Sequence, residues 1–229
     1  LSLVGLLWAG AQDDLVQASN PALDHETRMA AFQRLVDLGA TDVSVIRAAC
    51  QNSEAELRER WVAIRALGKV GGSPARQVLP ALAGDPKPAI RSAAISAIGD
   101  LGSKDFTKTV AAGLGDDSIM VRAAASDALA RIGDPAAIPA LGEALQAPDG
   151  HYRGSSLWVR KHYVDAMGSI GSTKAYPVLL LALDDADPAV VASTLRALEN
   201  IAGFTFSDGR DPESEKEAWR RWLQARLGR

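Results

Sequence analysis

Apolar and small residues recur along most of this chain at three- and four-residue steps, the spacing of a helix with one buried face. The pattern is clearest between Ser118 and Leu145. Val121, Ala124, Ala125, Leu129 and Ile132 mark one face of a first helix, and Ile138, Leu141 and Leu145 mark a shorter second one. Asp116, Asp117 and Ser118 stand ahead of the first helix, where a short polar side chain accepts from the free amides of the first turn. Gly133 closes that helix and Asp134-Pro135 opens the next. Glycine supplies the left-handed residue after a last turn, and proline fits the first position of a new helix. Two helices joined this tightly predict an antiparallel hairpin.

The hairpin recurs. Ala66-Leu67-Gly68-Lys69-Val70-Gly71 returns as Ala97-Ile98-Gly99-Asp100-Leu101-Gly102, as Ala128-Leu129-Ala130-Arg131-Ile132-Gly133 and as Ala166-Met167-Gly168-Ser169-Ile170-Gly171. The closing glycines lie 31, 31 and 38 residues apart, and a worn copy ends at Ala202, another 31 on. A fixed period near thirty residues marks a solenoid, because each unit is too small to bury its own apolar face and must stack on its neighbours. The expected fold is all-α, an α-solenoid of about five to six stacked hairpins with a C-terminal capping helix. Few aromatics and no alternating β-branched runs leave no signal for a sheet.

Residues 117 to 141 carry, almost intact, the pattern Asp-x-x-Val-Arg-x-x-Ala-x-x-Ala-Leu-x-x-Ile-Gly-Asp-Pro-x-Ala-Ile-Pro-x-Leu. It resembles the short bacterial HEAT repeats, those also found in phycobilisome lyase subunits. Related copies begin at Leu57-Arg58, Ile90-Arg91 and Val159-Arg160, with weaker ones at Thr27-Arg28 and Val190-Val191, so the resemblance spans residues 22 to 203. The first copy lacks the alanine-leucine-glycine clause and the last has Val191 where arginine stands elsewhere; terminal repeats have one neighbour and degenerate. The resemblance implies a non-catalytic adaptor or scaffold that binds another protein. Its alternatives are an accessory subunit of a protein-modifying or bilin-lyase-like complex and a nucleic-acid-binding HEAT-like protein.

A net charge of −3 and a pI near 5.7 argue against the nucleic-acid reading, since duplex binders concentrate positive charge. Cys50 is the single cysteine, so it forms no internal disulfide, and its place beside Ile46 and Ala49 reads as a buried, inert thiol. His25, His151 and His162 lack metal-ligand companions at helical spacing. His25-Glu26 resembles the His-Glu pairs by which HEAT-repeat deoxyhypusine hydroxylases bind iron, but such a site needs several pairs and the chain holds one. The sequence has no Gly-x-Ser-x-Gly, phosphate loop or Cys-x-x-Cys. No catalytic residue, metal or cofactor is therefore expected. Arg58, Arg91, Arg122 and Arg160 recur near the starts of first helices and read as a structural ladder paired to turn aspartates.

Three segments are expected. Leu1 to Ala11 reads as the apolar region and small-residue cleavage site of a secretory signal peptide, with Gln12 as the first mature residue, or else as an N-terminal capping helix. The signal reading places the protein in the periplasm or at the cell surface, the other in the cytoplasm; the apolar run is too short to span a membrane. Residues 12–203 form the solenoid. Residues 204–229 hold an aromatic loop and a helix in which Trp219, Trp222 and Leu223 share a face that closes the last repeat.

The seven extra residues in the 38-residue interval fall within Ala147 to Ser156. Insertions in solenoids project as loops, often on the binding side. This one carries His151, Tyr152 and Arg153, followed by Trp158 at a position aligned with Glu56, Ala89, Met120 and Ala189. These four residues, together with the second-helix face, are the candidate protein-binding surface; Trp158 is either an anchor for a partner or a lid under its own loop. Trp61 and Tyr163 align with Ala94 and Ala125 and are expected to widen the packing between repeats.

Overall fold

The computed structural model describes residues 3–152, 155–206 and 211–228. A first helix, α1 (Leu3–Ser19), precedes six pairs. They are α2 (His25–Gly39) with α3 (Ser44–Gln51), α4 (Leu57–Val70) with α5 (Gly72–Leu82), and α6 (Pro88–Leu101) with α7 (Thr107–Ala112). Then come α8 (Ile119–Ile132) with α9 (Ile138–Gln146), α10 (Val159–Ile170) with α11 (Tyr176–Ala182), and α12 (Pro188–Ala202) with α13 (Pro212–Leu227). Short 3-10 turns lead into α7, α9 and α11.

The boundaries follow from the punctuation in the sequence. Gly102, Gly133, Gly171 and Gly203 stand after first helices with left-handed φ of 61°, 65°, 70° and 78°, a conformation that costs a residue with a Cβ about 1 to 2 kcal/mol. The worn copy thus closes at Gly203, one residue past Ala202. Asp134 and Asp187 cap the helical turns that follow them by accepting from Ala136 and Ala189 amides.

First helices stack in sequence order from α2 through α12, and the recurring clause explains how closely they approach. A Cβ placed on Gly68 would lie 2.7 Å from Ala97 Cβ, one on Gly99 2.7 Å from Ala128 Cα, and one on Gly168 2.9 Å from Ala197 Cα. Each glycine therefore receives the alanine 29 residues on in the next first helix. The alanines are fully or almost fully buried. Second helices flank this stack, and a continuous core runs from Leu15 and Leu35 through Leu67, Ile98 and Leu129 to Leu198 and Trp219.

At the beginning, α1 packs on α2, α3 and α4. It runs unbroken across the Ala11–Gln12 junction, with Ala11 and Leu15 buried. At the other end α13 packs on α11 and α12, the place a second helix takes in the earlier pairs. Within the insertion, β1 (His151–Tyr152) pairs antiparallel with β2 (Ser155–Ser156), a two-residue ladder that adds a small hairpin to an otherwise helical architecture.

The seam predicts a specific sensitivity. Gly99→Ala should destabilise the chain by about 1 to 3 kcal/mol through overpacking, although alanine favours a helix. Gly102→Ala, with open space around it, should cost only the left-handed strain. Urea denaturation of both variants checks this, and a stabilised Gly99→Ala chain would contradict the close approach.

Candidate functional site

The polar chemistry of the stack concentrates where each turn meets the first helices on either side. Asp85, Asp116 and Asp185 each accept, through one carboxylate oxygen, the amide two residues on, at 2.9, 2.8 and 2.9 Å. The arginine 25 residues earlier then reaches the same carboxylate. Arg60 donates to Asp85 at 2.7 Å. Arg91 meets Asp116 with two bonds of 2.7 Å, and Arg160 meets Asp185 at 2.5 and 3.0 Å. These arginines also tie back to the backbone before their own helix: Arg91 donates to the Asp85 carbonyl at 2.9 Å and Arg160 to that of Leu145 at 3.3 Å. Arg122 donates to the Asp116 carbonyl at 2.8 Å; the residue 25 positions on from it is Ala147, at the mouth of the insertion.

In α4 the ladder arginine is therefore Arg60, not Arg58, which is exposed. Arg60 precedes Arg91 by 31 residues, as Arg91 precedes Arg122, whereas Arg58 lies 33 away. The same two-residue slip misplaces Trp61. It follows Arg60 by one residue and stays 44% exposed, while Ala63, three after the arginine, takes the buried position with Ala94, Ala125 and Tyr163. Trp158 likewise aligns with Arg58 rather than Glu56 in that helix.

Electrostatics at the turns favours ionised carboxylates. The Arg91 hydrogen bonds, opposed by partial burial, hold the Asp116 carboxyl below its usual range. Burial is the largest single influence on Asp85 and Asp185 and pushes them up, but the turn amide and the arginine together leave both lowered. Burial pushes the Cys50 thiol up to about 12, which removes its thiolate at neutral pH.

The insertion is anchored on the ladder. Leu157 donates its amide to the Gly150 carbonyl at 2.8 Å. Arg160 donates to the Ser156 hydroxyl at 3.1 Å, and a Cβ on Gly150 would sit 3.0 Å from Arg160 Cδ. His151 is exposed and pairs with Ser156 in the hairpin. Tyr152 belongs to β1, its side chain lying outside the described residues, as does Arg153. Trp158 remains 46% exposed. Its ring meets that of His162 edge to face at 5.2 Å, and His162 Nδ1 lies 3.2 Å from Asp127. Met120, one repeat earlier in the same row, is 60% exposed. Large exposed apolar side chains thus gather on the first helices, at Met29, Leu57, Trp61 and Met120, and at Trp158 just before α10; Leu181 is the exposed one on a second helix among the described residues. A second-helix docking face was the expectation from sequence, and the distribution of apolar exposure runs the other way.

Trp219 is fully buried. Phe204 stacks on it at 5.2 Å, Phe206 meets it at 4.8 Å, and Trp222 meets it edge to face at 5.5 Å while also touching Tyr176 at 5.4 Å. Arg220 bridges Asp184 and Glu217. This cluster is the end plate of the core. Among the described residues no group of three or more His, Cys, Asp or Glu is placed to hold a metal, and no helix is long and apolar enough to cross a membrane.

A stack of hairpins with these seams and ladders is an α-solenoid. Residues 75–158 match the family of HEAT repeats, and the helix pairs on either side of them stack in the same order. Among solved structures it is similar to the complex of CpcE and CpcF of phycocyanin lyase from Nostoc sp., at 25% identity and a TM-score of 0.59 over 81% of this chain and 76% of that one. An engineered protein is 22% identical with a TM-score of 0.54, covering 86% and 90%. A designed armadillo repeat protein is 17% identical with a TM-score of 0.51, covering 85% and 99%. No curated protein matches the chain.

Two consequences are measurable. A carboxyl whose folded pKa is lowered contributes stability that is fully present above its unfolded pKa, about 3.9, and is lost as the pH falls through the folded value. Asp116→Asn keeps the turn acceptor and removes the charge. It should lower the urea midpoint at pH 7 and flatten the acid-side loss below about pH 4; an unchanged slope would remove Asp116 from the ladder. Trp219→Ala should cost about 3 to 5 kcal/mol as a buried large-to-small change, and Trp222→Ala, half-buried, less. Equal small losses in both denaturation curves would show that the end plate is not part of the core.

Proposed function

We propose that the chain is a non-catalytic scaffold that binds another protein through the first-helix surface around Trp158 and Met120, beside the insertion. The observation that carries this reading is the exposure of a tryptophan and a methionine in one repeat row. An exposed, partly supported indole is the kind of anchor that dominates binding energy, and the Trp158 ring is oriented by His162. His151 lies in the insertion that precedes α10, and Tyr152 and Arg153, its neighbours in sequence, belong to the same proposal.

Export to the periplasm or cell surface belongs to the same proposal and rests on the apolar start followed by Ala9-Gly10-Ala11. The native N-terminus, read by mass spectrometry, tests it: a start at Gln12 supports export, and an intact leader on cytosolic protein rejects it. A second reading, an accessory subunit of a lyase-like complex, is favoured by the similarity to the CpcE and CpcF complex. Enrichment of a tetrapyrrole-bearing protein in affinity capture would select it.

The direct test of the scaffold is capture with the intact chain, followed by titration of the recovered partner. Met120→Ala with Trp158→Ala should weaken that partner at least about tenfold, equivalent to 1.4 kcal/mol, while each surface change leaves stability within about 0.5 kcal/mol. Unchanged affinity in a folded double variant would remove this surface from the function.

A further inference from the structure

An open groove lies where α1, α2 and α4 meet. It has a volume of about 540 Å³ and adjoins a second hollow of about 290 Å³ along Ala18, Arg28, Trp61 and Val62. Its rim is apolar and uncovered: Met29, Leu57 and Trp61 are 49, 40 and 44% exposed. The volume suits a few side chains of a bound segment. In a chain of net charge −3, this groove is lined by Arg28, Arg58 and Arg65 against Glu56 as the carboxylate among the described lining residues. The Arg65 guanidinium lies 5.9 Å from the centre of the Trp61 ring.

Arg28 shows why the charge is there without an internal partner. It precedes Arg60 by 32 residues and occupies the first ladder position. Arg60, Arg91 and Arg160 each meet an aspartate in the following turn. In the turn between α3 and α4 the capping role falls to Asn52, which accepts the Glu54 amide at 3.1 Å just as Asp85 accepts that of Lys87. Asn52 is neutral. Glu54 is exposed and accepts instead from the Ser53 hydroxyl. No ion pair involves Arg28 among the described residues, and its Nε is buried without a hydrogen-bond partner. Arg60 Nε is likewise buried without a hydrogen-bond partner, so what sets Arg28 apart from Arg60 is the missing carboxylate together with the opening onto a groove.

We infer that this groove docks an acidic segment of a partner protein, seating one large apolar side chain on Ala18 and Val62 beside the Trp61 rim and setting carboxylates on Arg28, Arg58 and Arg65. Planar guanidinium groups match carboxylates with two parallel bonds, and Arg28 offers a guanidinium whose counterparts in later repeats meet an aspartate. An acidic polypeptide is chosen over a nucleic acid because the cationic patch is short and its floor apolar, whereas polyphosphate binding requires charge spread along a track. The proposal rests on the reading of the chain as a protein-binding scaffold but uses a different surface from Trp158.

The test is a selection of random dodecapeptides displayed on phage against the immobilised intact chain, with enriched sequences synthesised and titrated by fluorescence anisotropy. Enriched peptides should carry Asp or Glu flanking Leu, Ile, Phe or Trp. Their affinity should fall at least about tenfold, 1.4 kcal/mol, in Arg58→Glu with Arg65→Glu and in Trp61→Ala, and should fall with rising salt. Arg58 and Trp61 are exposed, and a circular dichroism melt identifies any variant that fails to fold. Trp158→Ala should leave the affinity unchanged. The inference is overturned if no peptide is enriched, if the enriched peptides show no acidic excess, or if they bind the charge-reversed chain equally. Tighter competition by a single-stranded oligonucleotide or by anionic lipid vesicles overturns it as well. Peptides lost only in Trp158→Ala overturn the groove and leave the scaffold reading intact.

Discussion

The approach of one first helix to the next is the constraint on which the architecture depends. At Gly68, Gly99 and Gly168 a single additional carbon would fall 2.7 to 2.9 Å from an alanine of the following repeat, closer than carbon atoms pack. The pairing explains why the recurring clause reads alanine, a large apolar residue, glycine. Alanine accepts the helix before, glycine the helix after, and Leu67, Ile98 and Met167 between them are fully buried in the core. A glycine inside a helix costs about 1 kcal/mol against alanine, so its recurrence at this position reflects packing and not propensity. In the copy with Ala130 at the glycine position, the following interval is the one lengthened by the insertion.

Close seams bring helix starts together, and the turns at those starts carry the charges that fix the register. Each ladder aspartate serves its own turn with one oxygen and meets the arginine of the previous repeat, Asp85 with its other oxygen and Asp116 and Asp185 with both, so a single side chain couples local capping to long-range stacking. Buried arginine is costly without a partner, and Arg60, Arg122 and Arg160 are all buried. A second row follows the same period: Lys69 lies 3.0 Å and Arg131 3.3 Å from Asp100 between them. The pattern stops at the ends for different reasons. Val191 replaces the arginine before the end plate of aromatic residues, whereas Arg28 persists and its aspartate is replaced by Asn52.

The hairpins, their caps and the existence of a charge ladder were legible because they depend on short-range chemistry repeated at a fixed interval. Left-handed glycines and aspartate caps require only local backbone geometry, and Arg91 and Arg160 fall in register whichever copy is counted from. Arg58 was misleading because Leu57-Arg58 looks like the Ile90-Arg91 pair, and the two-residue slip hid both Arg60 and the exposure of Trp61. Counting 31 back from Arg91 finds the residue; resemblance of the dipeptide does not. The grouping of Arg28, Arg58, Arg65 and Trp61 about one groove was not legible, since it depends on where α1 lies across α2 and α4. Nor was the anchoring of the insertion on Arg160, which joins residues on both sides of the extra segment.

Because each helix pair touches its neighbours and little else, disruption at one seam should weaken with distance along the stack. Native-state hydrogen exchange on a Gly168→Val chain measures this directly. A branched side chain at that seam must push α10 away from α12. The account predicts a loss of amide protection in α10 to α13 that diminishes toward α6 and leaves α2 and α4 as protected as in the parent chain. An equal loss of protection in every helix would contradict a nearest-neighbour stack and show one undivided cooperative core.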